Sequence, residues 1–547
     1  MPDLVLGPLL RYVSETEATV WVETSEACEV EVLGHREPTF GVCGRHYALV
    51  RIEGLEPGGF YEYEVTLDGE RVWPLSDRDL PPSAIRTFSP RQPVDICFGS
   101  CRVAVPHEKP YTLTKDEHPD GHELDALHVL ATQMARQDRD KWPELLFLLG
   151  DQVYVDEGSP RAREKIRAKR DISMPPGEDV LDFEEYVWLY EESWSDPIVR
   201  WLFSTVSISM SWDDHDMSDD WNISRSWHEE MERKEWWHER AVDGIASYWI
   251  YQHLGNLSPR ELDDNEVYAK VRGNPDATDV LRNWAREIDA TAAGTRWSFC
   301  RDVDGVRAIF MDSRAARVLT EERRSMFDDR VWDWIVDHAT GEFDHLLLAT
   351  TVPYLLSPTF HHLEAWNERL GDGAWGGPLA HASEKLRRAL DFDHWAAFQF
   401  SFQRVRRLLE EVGSGKRGKP PASIVLLSGD VHHAYLCEVA FNRDAEMQSA
   451  VYQAVCSPYR NPLDARERKV IRAGFSRPAE LLARGLAQLS GAPDPGIRWR
   501  LLEGPYFDNQ VGTLRLDGRK AIARLDKTVA DDDEEQALEK TFERRIA

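Results

Sequence analysis

The sequence predicts an α/β protein preceded by a small all-β sandwich, and three observations carry that prediction. Short apolar runs of strand length recur between residues 94 and 427, each ending in a cluster of polar residues. Charged, Trp-rich stretches with helical spacing separate these runs. The first 90 residues instead alternate apolar and polar side chains with period two. Near-continuous apolar runs mark strands buried on both faces, whereas alternation marks strands with one face in water.

In the N-terminal domain, residues 1–90, the alternation runs through Ala18–Val22, through Val30 and Val32, and through Tyr61, Tyr63, Val65 and Leu67. The stretch from Gly54 to Tyr61, with Pro57, Gly58 and Gly59, places a turn directly before a strand. It resembles the E–F corner of fibronectin III/Ig-like sandwiches, in which a tyrosine closes the fold. Packing or positioning is the expected role; adhesion or ligand binding is the alternative, because a fold alone assigns no function.

Pro81, Pro82, Pro90 and Pro93 mark the boundary to a second domain, residues 91–547. Its expected buried strands end at Cys101-Arg102, Gly150-Asp151, Trp212-Asp-Asp-His-Asp216, Asp312-Ser-Arg314, Thr350-Thr351 and Ser428-Gly-Asp-Val-His-His433. In open α/β sheets ligands bind beyond the carboxyl ends of the strands, so these ends are the candidate site. Helical insertions are expected at about 156–205, 224–300 and 357–412. Trp227, Trp236, Trp237 and Trp249, and the stripe Trp395, Phe398, Phe402, Val405 and Leu409, read as core packing, with a substrate-cleft lining as the minor alternative. A hairpin turning at Asp517-Gly518 is expected near the C-terminus, followed by an acidic tail, Asp531–Glu535, read as a solvated face.

Acids outnumber bases 96 to 66 over 547 residues, a net charge of -30 that disfavours extended nucleic acid and anionic membranes as partners. No apolar run reaches the ~18 residues of a transmembrane helix. The start, Met1-Pro-Asp-Leu4, lacks the marks of a secretory signal, and seven scattered cysteines suggest no disulfide framework, so a cytoplasmic location is expected.

The strand ends offer Asp151, Asp214, Asp430 and His432 as hard oxygen and imidazole ligands, with the Cys101 thiolate and the Tyr154 phenolate beside them. Thiolate and phenolate favour a strongly Lewis-acidic ion such as ferric iron, and the carboxylates suit calcium, magnesium or manganese. Asp219 and Asp220 either hold a further cation or cap a helix. Adjacent cations would activate a water and clamp a phosphoryl group, with His215 as proton donor or hydrogen-bond partner. Arg102 is placed to contact phosphate or to form a salt bridge. Asp213, Asp312, Arg314 and His433 are expected behind the ligands or on the substrate, with Asp312–Arg314 readable also as a structural ion pair. A packing cysteine and an acidic capping turn are the structural alternatives at Cys101 and Asp213–Asp216.

Phe98-Gly-Ser-Cys101, Leu149-Gly-Asp-Gln-Val-Tyr154, Trp212-Asp-Asp-His-Asp216, Asp312-Ser-Arg314 and Leu427-Ser-Gly-Asp-Val-His432, in this order, resemble the alkaline phosphatase D (PhoD-like) family of calcineurin-like metallophosphatases. The resemblance covers roughly residues 95–465. It implies an αββα core of two packed mixed sheets and a metal-dependent phosphomonoesterase or phosphodiesterase that hydrolyses small phosphoesters through a metal-activated hydroxide. It also implies one ferric ion and calcium held by Cys101, Asp151, Tyr154, Asp214, Asp430 and His432, with Asp151 as the bridge. Manganese, magnesium or zinc are alternative metals. The family's DDHE motif reads Asp213-Asp-His-Asp216 here, and Asp219 and Asp220 stand where asparagines follow that motif. The other functional class is a non-catalytic metal-binding scaffold that uses its β-sandwich for protein interaction.

Overall fold

The computed structural model describes residues 1–75, 80–291, 296–320, 323–530 and 535–547. Alternating apolar residues fold the N-terminal region into ten strands: β1 (Leu4–Val13), β2 (Glu17–Thr24), β3 (Glu29–Val32), β4 (His35–Pro38), β5 (Phe40–Val42), β6 (Arg45–Glu53), β7 (Phe60–Glu62), β8 (Val65–Leu67), β9 (Glu70–Trp73) and β10 (Ala84–Arg86). Two antiparallel sheets, ordered β1-β2-β6-β5 and β4-β3-β8-β9, share a core that includes Val20, Val22, Val30, Val50 and Val65. The stretch from Tyr61 to Leu67, expected as one strand, divides between β7, which pairs with β10 in a two-stranded sheet, and β8. At the corner the Tyr61 hydroxyl accepts a hydrogen bond from the Glu56 N–H at 2.7 Å.

The other face of this region is buried against the second domain. Trp21 and Tyr47 share one core cluster with Tyr190, Trp194 and Tyr251. Arg11, fully buried, donates to the carbonyls of Tyr251 and Gln252 and to Asn256 Oδ1 at 2.9, 2.6 and 3.0 Å. Glu23 is buried beside them, accepting from the Tyr251 hydroxyl at 3.0 Å, with Arg45 3.7 Å away. Burial pushes the Glu23 carboxyl up to about 8, against the pull of Arg45 and Tyr251. The folded state therefore binds this proton more tightly than the unfolded chain. The resulting stability is fully present below the ordinary value of 4.5 and is lost as pH rises through about 8. Glu23→Gln is expected to leave the melting temperature at pH 4 nearly unchanged and to stabilise the protein at pH 9 by ~3–5 kcal/mol. Parallel melting curves for parent and variant across that range would contradict this.

The second domain is built on β11 (Val94–Gly99), β12 (Leu145–Leu149), β13 (Ser207–Ser211), β14 (Phe299–Val303), β15 (Val306–Phe310), β16 (His345–Ala349), β17 (Ser423–Ser428), β18 (Ala434–Phe441), β19 (Ala450–Val455), β20 (Ile497–Tyr506), β21 (Gln510–Asp517), β22 (Lys520–Ala530) and β23 (Gln536–Arg545). They form two mixed sheets, ordered β13-β12-β11-β21-β22-β23 and β14-β15-β16-β17-β19-β18-β20. The sheets pack face to face: Phe147 of β12 meets Phe310 of β15 edge-on at 4.7 Å. The continuous apolar runs now have their reason. Leu145, Phe147 and Leu149 point into the inter-sheet core, while Leu146 and Leu148 pack under helices Ala126–Arg136 and Pro197–Thr205. Likewise Val425 and Leu427 face inward, and Ile424 and Leu426 lie under helices Asp329–His338 and Gln399–Gly413. The result is a helix–sheet–sheet–helix stack.

The insertions are helical. Trp227, Trp237 and Trp249, and the stripe Trp395, Phe398, Phe402, Val405 and Leu409, are all buried as core packing. The hairpin forms as β21 and β22, joined across Asp517 and Lys520. The expected acidic tail, Asp531–Glu535, falls almost wholly on residues 531–534; after it residues 536–545 form β23, paired along β22, and their alternating side chains complete a sheet edge. Residues 531–534 lie outside the described residues. All seven cysteines are free thiols. Among the described residues no helix is long and apolar enough to cross a membrane.

Candidate metal centre at the strand ends

Strands β11, β12, β13 and β17 run parallel within their sheets and bring their carboxyl ends to one rim. The chain leaves three of these strands through left-handed backbone: Cys101 (φ 56°), Asp151 (φ 51°), Asp430 (φ 67°) and His432 (φ 50°). Such φ values are uncommon outside glycine and persist only where the surroundings enforce them. Two glycines allow the close approach this requires. A Cβ on Gly150 would lie 2.6 Å from Asp213 Oδ2, and one on Gly429 would lie 2.0 Å from Ser100 Oγ.

The turns converge Asp151, Asp213 and Asp214, all buried, with one oxygen of each within 4.8 Å of the others. Asp151 Oδ1 and Asp213 Oδ2 are buried without a hydrogen-bond partner. Burial pushes the Asp151 carboxyl well above its usual range, and Asp214, Asp216 and Asp430 add to the rise against the pull of His215. Burial likewise raises Asp213, opposed by Arg314 and reinforced by Asp430 and Asp214. Crowded, desolvated acids with orphaned oxygens are the donor set that a divalent or trivalent cation satisfies. The remaining donors adjoin them. Tyr154 donates its hydroxyl to Asp151 Oδ2 at 3.3 Å. Cys101 is fully buried, with its Sγ 3.0 and 3.1 Å from the Ser100 and Ser457 hydroxyls and 3.4 Å from the Asp430 carbonyl. Burial, Asp151 and Asp430 hold its thiol protonated in the absence of a cation. His432 follows on the same turn, its imidazole pushed down to about 4 by burial, which leaves a neutral ring.

His215 stands over the Tyr154 ring at 4.6 Å, with its Nδ1 3.0 Å from Asp156 Oδ1. Burial alone would lower its pKa, but the Asp156 hydrogen bond and the charges of Asp151 and Asp214 raise it well above the usual value. Asp216, the motif's last acid, binds the backbone N–H groups of Gln152, Val153 and Asp213 at 3.1, 3.2 and 3.1 Å and so staples two strand ends together. Arg314 is buried among four carboxylates: Asp213, Asp393, Asp214 at 3.2 Å and Asp430 at 2.9 Å.

Several expected residues lie elsewhere. Arg102, expected on phosphate or in a salt bridge, lies in a buried salt bridge. Its guanidinium binds Asp125 at 2.7 Å and the Ser193 carbonyl at 2.5 Å, because Asp125 caps helix Ala126–Arg136 and needs a counter-charge. Asp312, expected behind the ligands or on the substrate, staples its loop: it accepts from the N–H groups of Arg314, Ala315 and Ala316 at 2.9–3.0 Å. Asp219 turns its side chain outward, 69% exposed and 4.0 Å from His215 Nε2. Asp220 instead sits at the rim, pushed up to about 9 by burial and by Asp393, Asp391, Asp219 and Asp214. His433 donates from Nδ1 to the Val431 carbonyl at 2.6 Å and stacks on Tyr435, as a structural residue would.

Sequence reasoning missed Asp156, Asn461 and the pair Glu364–His394, and it placed Thr351 at a strand end without giving it a role. Thr351 donates to Asp213 Oδ1 at 2.9 Å, and Asn461 donates to the Tyr154 hydroxyl at 3.4 Å. His394 Nδ1 binds Glu364 at 2.8 Å while its Nε2 points to Asp430 Oδ2 at 3.4 Å. The only sequence signal was Asp391-Phe-Asp-His394, which the aromatic stripe behind it obscured.

Two face-to-face mixed sheets with acids gathered at the strand ends define an α/β core with a candidate metal centre, and the comparisons with known proteins give its class. The PhoD-like phosphatase family matches residues 126–473, more than half of the chain, and the chain belongs to that family. It is a phosphoric-ester hydrolase. A domain of unknown function, DUF7800, matches residues 1–85. A solved structure described as "Structure of PhoD" is similar over 100% of this chain and 92% of its own, with a TM-score of 0.60 at 13% identity, a likeness of fold. A crystal structure of maltogenic amylase from S. marinus aligns with 97% of this chain and 80% of its own at 9% identity, with a TM-score of 0.17, too low to carry an argument. The search of curated proteins found no match.

Proposed function

We propose that this hydrolase is a metal-dependent phosphoesterase acting on small phosphoesters at the β11, β12, β13 and β17 ends. The observation that carries this reading is the buried Asp151–Asp213–Asp214 triad with unpartnered oxygens beside a thiol and a phenol. Cys101, Asp151, Tyr154, Asp214, Asp430 and His432 hold the cations, with Asp151 at the centre of the set and Asp213 drawn closer than the motif alone suggested. Asp220 serves a further cation at the rim. Ferric iron suits the Cys101–Tyr154 side and calcium the carboxylate side. Bound cations supply charge to offset the phosphoryl group and acidify a water. The chain's own residues do the rest. Asp156 fixes the His215 ring so that its Nε2 faces the rim, where it can hydrogen-bond the phosphoryl group or hand a proton to the leaving oxygen. Glu364 fixes His394, and His394 and Arg314 fix Asp430. The net charge of -30 disfavours polyanions and leaves small esters as the substrate class.

Elemental analysis of the purified protein, run beside a panel of chromogenic mono- and diesters, tests this. Iron with calcium, and turnover abolished by chelation and restored by readdition, are expected. Zinc alone would overturn the metal assignment. Full activity in metal-free protein would overturn the mechanism, and tightly held metal with no turnover on any ester would favour a scaffold.

A further inference from the structure

Helix Arg477–Leu489 is built the wrong way round for a surface helix of a water-soluble domain. It packs on helix Pro358–Gly371 through two small residues, Ala483 and Ala487. Its large apolar residues face out. Leu482 and Leu489 are 74% and 75% exposed, and Leu481 and Leu486 are exposed beside them. At 100° per residue, positions 478, 481, 482, 485, 486 and 489 form one continuous outward face, and in this chain they are Pro, Leu, Leu, Gly, Leu and Leu. Val470, on the preceding helix Ala465–Gly474, adds a further exposed apolar side chain. Single exposed leucines need no explanation, but a helix face with four of them and no polar side chain does.

The charge around this face is the reverse of the chain's. Residues 465–489, the two helices, carry six Lys and Arg against two Asp and Glu, in a protein of net charge -30. Arg466, Lys469 and Arg477 are exposed and form no ion pair among the described residues. Apolar residues on an exposed helix, bordered by free cations, match the chemistry of the interface of an anionic lipid bilayer.

We propose that helices Ala465–Gly474 and Arg477–Leu489 form a docking surface for an anionic membrane, with the leucines of the second helix inserted at the headgroup–acyl boundary and Arg466, Lys469 and Arg477 against lipid phosphates. Charge selects this occupant. In a symmetric pair joined through this face, two surfaces that each carry Arg466, Lys469 and Arg477 would be brought together, so like charge opposes self-association through it. Leu482 and Leu489 are too exposed to line a groove for a peptide, whereas a bilayer needs only a protruding apolar ridge. The net charge that disfavours membrane contact over the protein as a whole is overridden here, because charges more than about 10 Å away are screened at physiological salt.

The test is sedimentation of the full chain with vesicles of phosphatidylcholine alone and of phosphatidylcholine with an equal part of phosphatidylglycerol. Binding is expected only to the anionic vesicles and is expected to weaken as salt is raised. The double variant Leu482→Gln/Leu489→Gln should weaken it about tenfold or more. Reversal of Arg466, Lys469 and Arg477 to Glu should weaken it by about fivefold or more per charge. Phosphoesterase activity on a soluble ester, unchanged in both variants, shows that the fold survives. Absence of binding to the anionic vesicles would overturn the proposal. So would a dimer in light scattering that dissociates in the leucine variant, which would assign the face to a second copy. Capture of an acidic protein with undiminished affinity in the presence of excess anionic vesicles would overturn it as well.

Discussion

Asp151→Asn is expected to lower turnover of a chromogenic phosphoester by at least about a thousandfold while leaving the metal-free protein as stable as the parent, or more so. The two effects have one cause. Asp151 is buried with its Oδ1 unpartnered and shares its surroundings with Asp213, Asp214 and Asp430, so without a cation its charge is a liability. An amide removes that liability, keeps an acceptor for the Tyr154 hydroxyl and tolerates the left-handed backbone at φ 51°. It also removes the carboxylate around which the thiol, the phenol and the other two acids are arranged. The readouts are turnover, bound metal per chain and the melting temperature in chelator. A variant that melts lower without metal would mean that Asp151 is structural. A variant that binds metal and turns over normally would mean that the centre is elsewhere.

The strand ends were legible because burial and chemistry leave different marks in a sequence. Leu145–Leu149 is apolar throughout since its two faces meet a sheet and a helix layer, and such a run ends where the backbone must turn, at Gly150-Asp151. Conversely, Arg102 stayed open between two roles because its partner, Asp125, is 23 residues away at a helix cap, and nothing local distinguishes a guanidinium aimed at phosphate from one aimed at a buried carboxylate. Asp156 and His394 were hidden for a related reason. Each lies in an insertion and acquires its role only when tertiary packing sets it against His215 or Asp430. The N-terminal sandwich shows the same limit. Its alternation was readable, but the strands that present Arg11, Trp21, Glu23 and Tyr47 to the second domain look like any half-buried strand.

Arg314→Met is expected to destabilise the metal-free protein by ~3–5 kcal/mol, with much of the loss recovered when calcium is added. Among the described residues Arg314 is the one cation in contact with Asp213, Asp214, Asp393 and Asp430 together, and it is fully buried itself. Removing it leaves four acids facing one another in a site with little water, an arrangement in which some must take up protons or the strand ends must part. Methionine fills much of the same volume, so the effect reports charge more than packing. The neighbouring Arg317 cannot substitute, because its guanidinium is already engaged with Asp393 and with the Ser313 and Asn222 carbonyls. Denaturant melts with and without calcium, for parent and variant, read the effect directly. The calcium-dependent gain should be larger in the variant than in the parent, since a bound cation takes over the charge that Arg314 supplied. An equal gain in both would mean that Arg314 and the cations act on separate carboxylates, and it would divide the cluster into a structural half around Asp393 and a metal-holding half around Asp151.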